Sequence, residues 1–369
     1  MSNHKIINEV FLLRSMSCLS IVLLHSINRI YIEENSMLSL FTLLLTFGTP
    51  AFVFISELVI SHSYPTETPR RFWSKRVRYI LLPYVFFGLF YAFSKALEGW
   101  LFKGASFFSS LFNYSWKHLL LGDFQGYFIL IIFQFYLLHL VFQKYLAQYS
   151  PKMILGTSLL INIIYLGLFN FTTSPDGPVL QYIWQQGYWL PFLGWIFYFT
   201  VAYYCGLHYQ KFIQALMKWK KYIFVLTVLG AMIPMVLTSQ ELLTVHSSKR
   251  IDMLFFTIML TFSLYIVAHQ MKKVPQIWVR ISQYSFGIYL LHPFYMGVMI
   301  IAVSRIPILS QSILGVLVLF VASILCSILT TYLLNQIKWG PYVIGKIGIG
   351  VQTNPPGQVA SSQRTAQNV

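Results

Sequence analysis

In this chain of 369 residues, 57% are hydrophobic and 10% are charged, against roughly 25% charged in soluble domains. Apolar runs recur along nearly its whole length, which excludes a soluble domain of any size. The net charge of +16 sits in short loops between those runs, so it reads as membrane orientation, with no nucleic-acid surface.

A spanning helix needs about 20 mainly apolar residues. By that rule ten spans are predicted, near 9–31, 37–61, 78–97, 126–143, 153–171, 188–208, 222–240, 252–271, 284–303 and 312–336. The first run is long, carries Arg14 and His25 and has no small-residue cleavage site, so it is expected to stay as a span and not leave as a signal peptide. Ten is even, so both termini share a side. Placing them inside puts about 18 of the 26 basic residues in the cytoplasm. These are Lys5, Arg70, Arg71, Lys75, Arg76, Arg78, Lys144, Lys152, Lys211, Lys218, Lys220, Lys221, Lys272, Lys273, Arg280, Lys338, Lys346 and Arg364. Glu33, Glu34, Asp123 and Asp176 fall outside. The predicted class is therefore an all-α, polytopic transmembrane bundle with both termini cytoplasmic.

Outside the spans, the outer segment 99–125 repeats apolar residues at near-helical spacing: Phe107, Phe108, Leu111, Phe112, Trp116 and Leu119. That spacing fits a helix lying in the interface, or a loop packed on the bundle. From residue 338 the chain turns polar and rich in Gly, Pro, Ser and Gln. Residues 1–337 then form the membrane domain, and 338–369 a cytoplasmic tail expected to be disordered. Cys18, Cys205 and Cys326 lie in apolar stretches without a CxxC pair, which implies neither disulfides nor a metal site. No internal repeat is evident, which weakens an inverted-repeat transporter.

Ionisable groups inside a membrane are costly, and each is a functional hypothesis. Arg14 and His25 stand eleven residues apart, three helical turns plus roughly 20°, so they share a face about 16 Å apart along the axis. Glu57, at a depth similar to Arg14, is expected to pair with it, which reduces the desolvation cost of both. His292 precedes Pro293, which leaves the carbonyl of Tyr289 without its helical donor. His139 and His269 lie near inner helix ends, where structural roles are expected; His118 and His246 fall in outer loops. Arg70, Arg71, Lys75, Arg76 and Arg78 precede the third span, either as a positive-inside anchor or as a phosphate-binding rim. There is no P-loop, GxSxG elbow or HExxH, and IGIG at 347–350 lacks the strand and helix a dinucleotide fingerprint needs.

These features resemble the acyltransferase 3 family of bacterial integral-membrane O-acyltransferases. Arg14 to His25 fits the family's first-helix signature. The stretch 48–56, GTPAFVFIS, is similar to its second-helix segment, with Glu57 in place of the usual glycine. Lys75 and Arg78, followed by Ile80-Leu81-Leu82-Pro83-Tyr84, match its basic third-helix motif, and Ser285 to His292 resembles its late Ser-Tyr-Gly-Ile-Tyr-Leu-x-His signature. The resemblance covers about residues 8–335. Within the family, Gly126-Tyr127-Phe128, Phe133-Gln134-Phe135 and Gly194-Trp195-Ile196-Phe197-Tyr198-Phe199 point to the intercellular adhesin C-like subgroup, described either as an exporter of poly-N-acetylglucosamine or as its O-acyl modifier.

The resemblance implies an enzyme of the bacterial plasma membrane that transfers an acetyl or succinyl group from cytoplasmic acyl-CoA to a hydroxyl of a cell-surface polysaccharide or its lipid-linked precursor. It would have no bound cofactor, act within the lipid bilayer, and work beside a polysaccharide synthase. His25 is the expected base, Arg14 with Lys75, Arg76 and Arg78 the donor-binding group, and Ser56, Tyr289 or His292 the candidates to stabilise the oxyanion. An exporter or flippase of the same polysaccharide is the competing class, and a membrane scaffold the third.

Overall fold

The computed structural model describes residues 7–31, 36–146 and 148–348. Lys5, Glu33, Glu34, Arg364 and the tail from residue 349 lie outside these. Among the described residues 10 helical segments are long and apolar enough to cross a membrane, in the order the hydropathy predicts, and no strand is present.

The first span is a single helix, α1 (Glu9–Ile30). The second is broken into α2 (Ser36–Leu45) and α3 (Gly48–Ser63). Pro50 has no N–H for the carbonyl of Thr46, which takes the N–H of Thr49 at 3.4 Å instead. The third span joins α4 (Phe72–Arg76) to α5 (Leu82–Lys103) through a π turn at Val77–Leu81, where the extra residue shifts the facing of the flanking basic side chains. The later elements are α6 (Phe107–Leu121), α7 (Tyr127–Val141), α8 (Pro151–Phe171), α9 (Pro178–Trp189), α10 (Ile196–Leu207), α11 (Tyr209–Ser239), α12 (Met253–Gln270), α13 (Gln276–Val303), α14 (Ile313–Asn335) and the short α15 (Gly340–Ile344).

At the centre of the bundle, α1 packs against α3, α12, α13 and α14, while α3 lies along α10. Small residues let these backbones approach. A Cβ on Gly48 would fall 2.6 Å from the carbonyl oxygen of Ser17 on α1, and one on Gly206 would fall 2.6 Å from that of Leu58 on α3. Close approach of this kind is how membrane helices gain packing when lipid is as apolar as leucine.

Segment 99–125 is largely helical and packs on the bundle. α6 is a helix, and its exposed outer face carries Phe108, Phe112, Trp116 and Leu120. Its inner face packs on α5, where Tyr84 donates to the carbonyl of His118 at 2.6 Å. His118 is fully buried, and its Nδ1–H donates to the carbonyl of Gly88 at 2.9 Å. It is thus a packing residue of the helix α6, where the sequence placed it in an outer loop. Past residue 338, α15 docks through the buried Ile344 and a Tyr342–Tyr79 stack at 5.8 Å.

Candidate active site

Two cavities of different chemistry lie at opposite ends of the bundle. One sits against α4 and the π turn that follows it. It has a volume of about 690 Å³ and is lined by Arg71, Lys75, Arg76, Arg78 and Lys346, together with Ser74 and Tyr79. Five cations share one recess, and none of them makes an ion pair among the described residues. Arg76 reaches inward from it, with its guanidinium 4.7 Å from the ring centroid of Phe72 and 5.2 Å from that of Tyr136. Its Nε is buried without a hydrogen-bond partner. Arg14 lies within electrostatic range of both Arg76 and Tyr136, so the basic recess continues electrostatically to the lower part of α1.

The other cavity, about 390 Å³, lies toward the far end of α1. Its walls come from α1 (Ile21, His25), α3 (Thr49, Phe52), the α6–α7 connection (Gly122 to Gln125), α7 (Tyr127, Phe128), the end of α9 (Gln186, Trp189) with Leu190, and α13 (Tyr289, His292). His25 is open to it. The His25 ring packs against that of His292, with centroids 5.5 Å apart and planes 29° from parallel. The Nδ1 of His292 lies 2.8 Å from the carbonyl of Ile288. A carbonyl can only accept, so the proton is on Nδ1 and Nε2 is a bare acceptor; Nε2 is buried and has no partner. The hydroxyl of Tyr289 donates to the backbone carbonyl of Gln125, and the buried Gln125 side-chain nitrogen has no hydrogen-bond acceptor among the described residues. Aromatic faces interleaved with a few convergent polar groups are the usual make-up of a ligand pocket.

The structure gathers His25, Tyr289 and His292 at one end and Lys75, Arg76 and Arg78 at the other. Arg14 lies on α1 between the two. Ser56 is half-buried on α3 and is not among the cavity-lining residues. Glu57 does not pair with Arg14. Its carboxylate accepts from His139 Nδ1 of α7 at 2.7 Å, and both side chains are at most 2% exposed. The sequence argument matched Glu57 and Arg14 by depth alone, but helix packing turns Glu57 toward α7. His269 likewise finds a carboxylate, Glu9, at 2.7 Å.

Sequence reasoning passed over Asp123, Gln125, Gln186 and Trp189, which complete the second cavity, and Lys346, which completes the first. One signal was present. In Gly122-Asp123-Phe124-Gln125-Gly126, Gly122 takes a positive φ of 62° that L residues rarely adopt, which marks a tight turn placing polar side chains at a helix entrance.

The chain matches the model of the acyltransferase domain over residues 7–332. It is 34% identical over 352 residues to the Bacillus subtilis (strain 168) protein named "Putative membrane-bound acyltransferase YfiQ", covering 92% of this chain and 95% of that protein. It is 29% identical over 298 residues to a Staphylococcus aureus (strain MSSA476) protein named "Probable poly-beta-1,6-N-acetyl-D-glucosamine export protein", covering 78% of this chain and 82% of that one. A Staphylococcus epidermidis protein of the same name is 27% identical over 293 residues, covering 77% and 80%. No solved structure matches. Because the family match runs from the foot of α1 to the last turn of α14, the chain belongs to the acyltransferase 3 family and is a membrane-bound acyltransferase.

Proposed function

We propose that this acyltransferase takes an acetyl or succinyl group from acyl-CoA on the cytoplasmic side of the bacterial cell membrane. It delivers the group to a hydroxyl of an extracytoplasmic polysaccharide or its lipid-linked precursor. The observation that carries this reading is a pair of unlike cavities, one lined by five cations and the other by His25 of α1, with Arg14 about three turns before His25 on the same helix. The loop charges favour the basic recess as the inner one. Its cations suit the phosphates of CoA, since guanidinium and ammonium groups pair well with phosphate. From there the thin pantetheine arm would follow α1 past Arg14 to His25, a rise of about 16 Å.

In the outer cavity the neutral imidazole of His25 takes the proton of the acceptor hydroxyl as its oxygen attacks the thioester carbonyl. The tetrahedral intermediate collapses by breaking the C–S bond, and the proton passes to the departing thiolate, leaving an ester and free CoA. The oxyanion needs a donor. The bare Nε2 of His292 is not one, and the Tyr289 hydroxyl is already engaged, so the unpartnered Gln125 amide fits that role. Aromatic walls suit sugar rings, which supports a glycan acceptor. A polysaccharide synthase would be the natural partner in the bilayer, and no nucleic acid takes part.

The test is chemical analysis of surface glycans from cells with the gene, without it, and with His25→Ala at matched protein level. The expected result is normally exported polymer that lacks its acyl ester in both altered strains. Full acylation in the His25→Ala strain removes His25 from the mechanism. The relatives named as export proteins supply the second reading, an exporter; polymer retained inside the cell on loss of the gene would favour it.

A further inference from the structure

The sixth span is discontinuous. α9 stops at Trp189, a 3₁₀ turn follows at Phe192–Trp195, and α10 resumes. Such a break strands the last carbonyls of α9. Pro191 has no N–H to give to Gly187. The N–H of Phe192 goes to Gln134 Oε1 at 3.0 Å, and that of Gly194 turns back to Pro191 at 3.4 Å. Irregular backbone at membrane depth persists only where protein partners or a cavity accept it.

Here the partners are side chains from three other places. The hydroxyl of Tyr165 on α8 donates to Gly187. Lys249, in the α11–α12 connection, donates through Nζ to the carbonyls of Tyr188 and Trp189, both at 2.6 Å. Gln134 on α7 donates to Leu190 at 3.0 Å. Lys249 is 0% exposed, and its Nζ stands 4.9 Å from the ring centroid of Trp195. Gly194 makes room for it, since a Cβ there would lie 3.2 Å from Nζ. The backbone carbonyl of Lys249 accepts from the Tyr188 hydroxyl at 2.8 Å and Asn170 Nδ2 at 3.1 Å. Burial pushes the Lys249 ammonium well below the ordinary lysine range; with or without the third proton, the group has the two N–H donors these carbonyls use.

The break bends Trp189 and Leu190 into the wall of the His25 cavity. Trp189 meets Tyr127 edge-on at 5.6 Å and 73°, and it remains 36% exposed. A large, flat, partly open indole across from the base is a natural stacking surface for a pyranose ring.

We propose that Lys249 is a positioning residue that fixes the broken helix so that Trp189 serves as the stacking wall for the acceptor's sugar ring. This rests on the glycan-acceptor reading above. The test uses the full chain in nanodiscs with acetyl-CoA or succinyl-CoA and a synthetic pentasaccharide of β-1,6-linked N-acetylglucosamine. Trp189→Ala and Lys249→Met should each raise the pentasaccharide KM about tenfold while kcat and the acyl-CoA KM stay within about twofold, the pattern of lost uniform binding. Trp189→Phe, which keeps a flat ring, should recover most of the loss. The double variant Trp189→Ala/Lys249→Met should be no worse than either single one, because the lysine acts through the indole. An unchanged pentasaccharide KM in Trp189→Ala overturns the proposal, as does a double variant whose losses multiply. Should Lys249→Met fail to fold, the Trp189 pair decides. A wild-type protein that acylates no pentasaccharide with either donor overturns the glycan reading itself, and this inference with it.

Discussion

The buried Glu57–His139 pair offers the sharpest test of the packing. The two atoms are 2.7 Å apart, and the side chains are at most 2% exposed. His139→Ala would leave the Glu57 carboxylate with neither water nor its hydrogen-bond donor in a helix-packed interior. Removing one member of a buried pair costs about 3–5 kcal/mol, a fall of roughly a hundredfold to several thousandfold in the folded-to-unfolded ratio. Glu57→Leu/His139→Leu removes both polar groups at once and should recover most of the loss, because well-packed apolar replacements of buried pairs are often neutral. Equilibrium unfolding in mixed detergent micelles, followed by tryptophan fluorescence, reads the difference. His139→Ala with wild-type stability would refute the reasoning. So would rescue of Glu57→Arg by Arg14→Glu, which would make Arg14 the true partner of Glu57.

Gly48→Ala should destabilise the protein by about 1–3 kcal/mol through overpacking, since the new methyl falls 2.6 Å from backbone of α1 that cannot rotate away; thermal unfolding checks this, and a wild-type midpoint contradicts it. Lys75→Ala and Arg78→Ala should raise the acyl-CoA KM several-fold with kcat little changed. The difference should shrink between low salt and about 0.5 M salt as screening takes over, and a salt-independent KM would speak against phosphate binding in the basic recess. Asp252→Ala should cost about 3–5 kcal/mol, because it removes both acceptors, at 3.0 and 2.6 Å, from an Arg250 that is 0% exposed. Loss of the folded fraction on size-exclusion chromatography reports it.

Much of the site was readable from local pattern. Arg14 and His25 share a face because helical rise and rotation are fixed by the backbone, and α1 forms over the span the hydropathy marks. His292 announced itself as an imidazole beside a proline in an apolar run. What local pattern did not reveal were partners chosen across the bundle. Glu57 matched Arg14 in depth, yet depth says nothing about azimuth, and α3 turns its carboxylate to α7. Lys249 and Arg250 stand in a polar connection between two spans, where local pattern assigns them no role, yet both are 0% exposed: Lys249 caps the broken sixth span and Arg250 is held by Asp252.

The sequence by itself determined that ten apolar helices form, where they run, and which end of the bundle gathers the loop cations. These depend on the length of apolar runs and on the cost of unpaired backbone in lipid, both of which are local quantities. Only the tertiary structure decided which side chains meet: His25 against His292, Glu57 against His139, and Lys249 against the carbonyls of Tyr188 and Trp189. Each of those pairs depends on how far one helix is rotated and displaced against another, and packing between residues distant in the chain sets that.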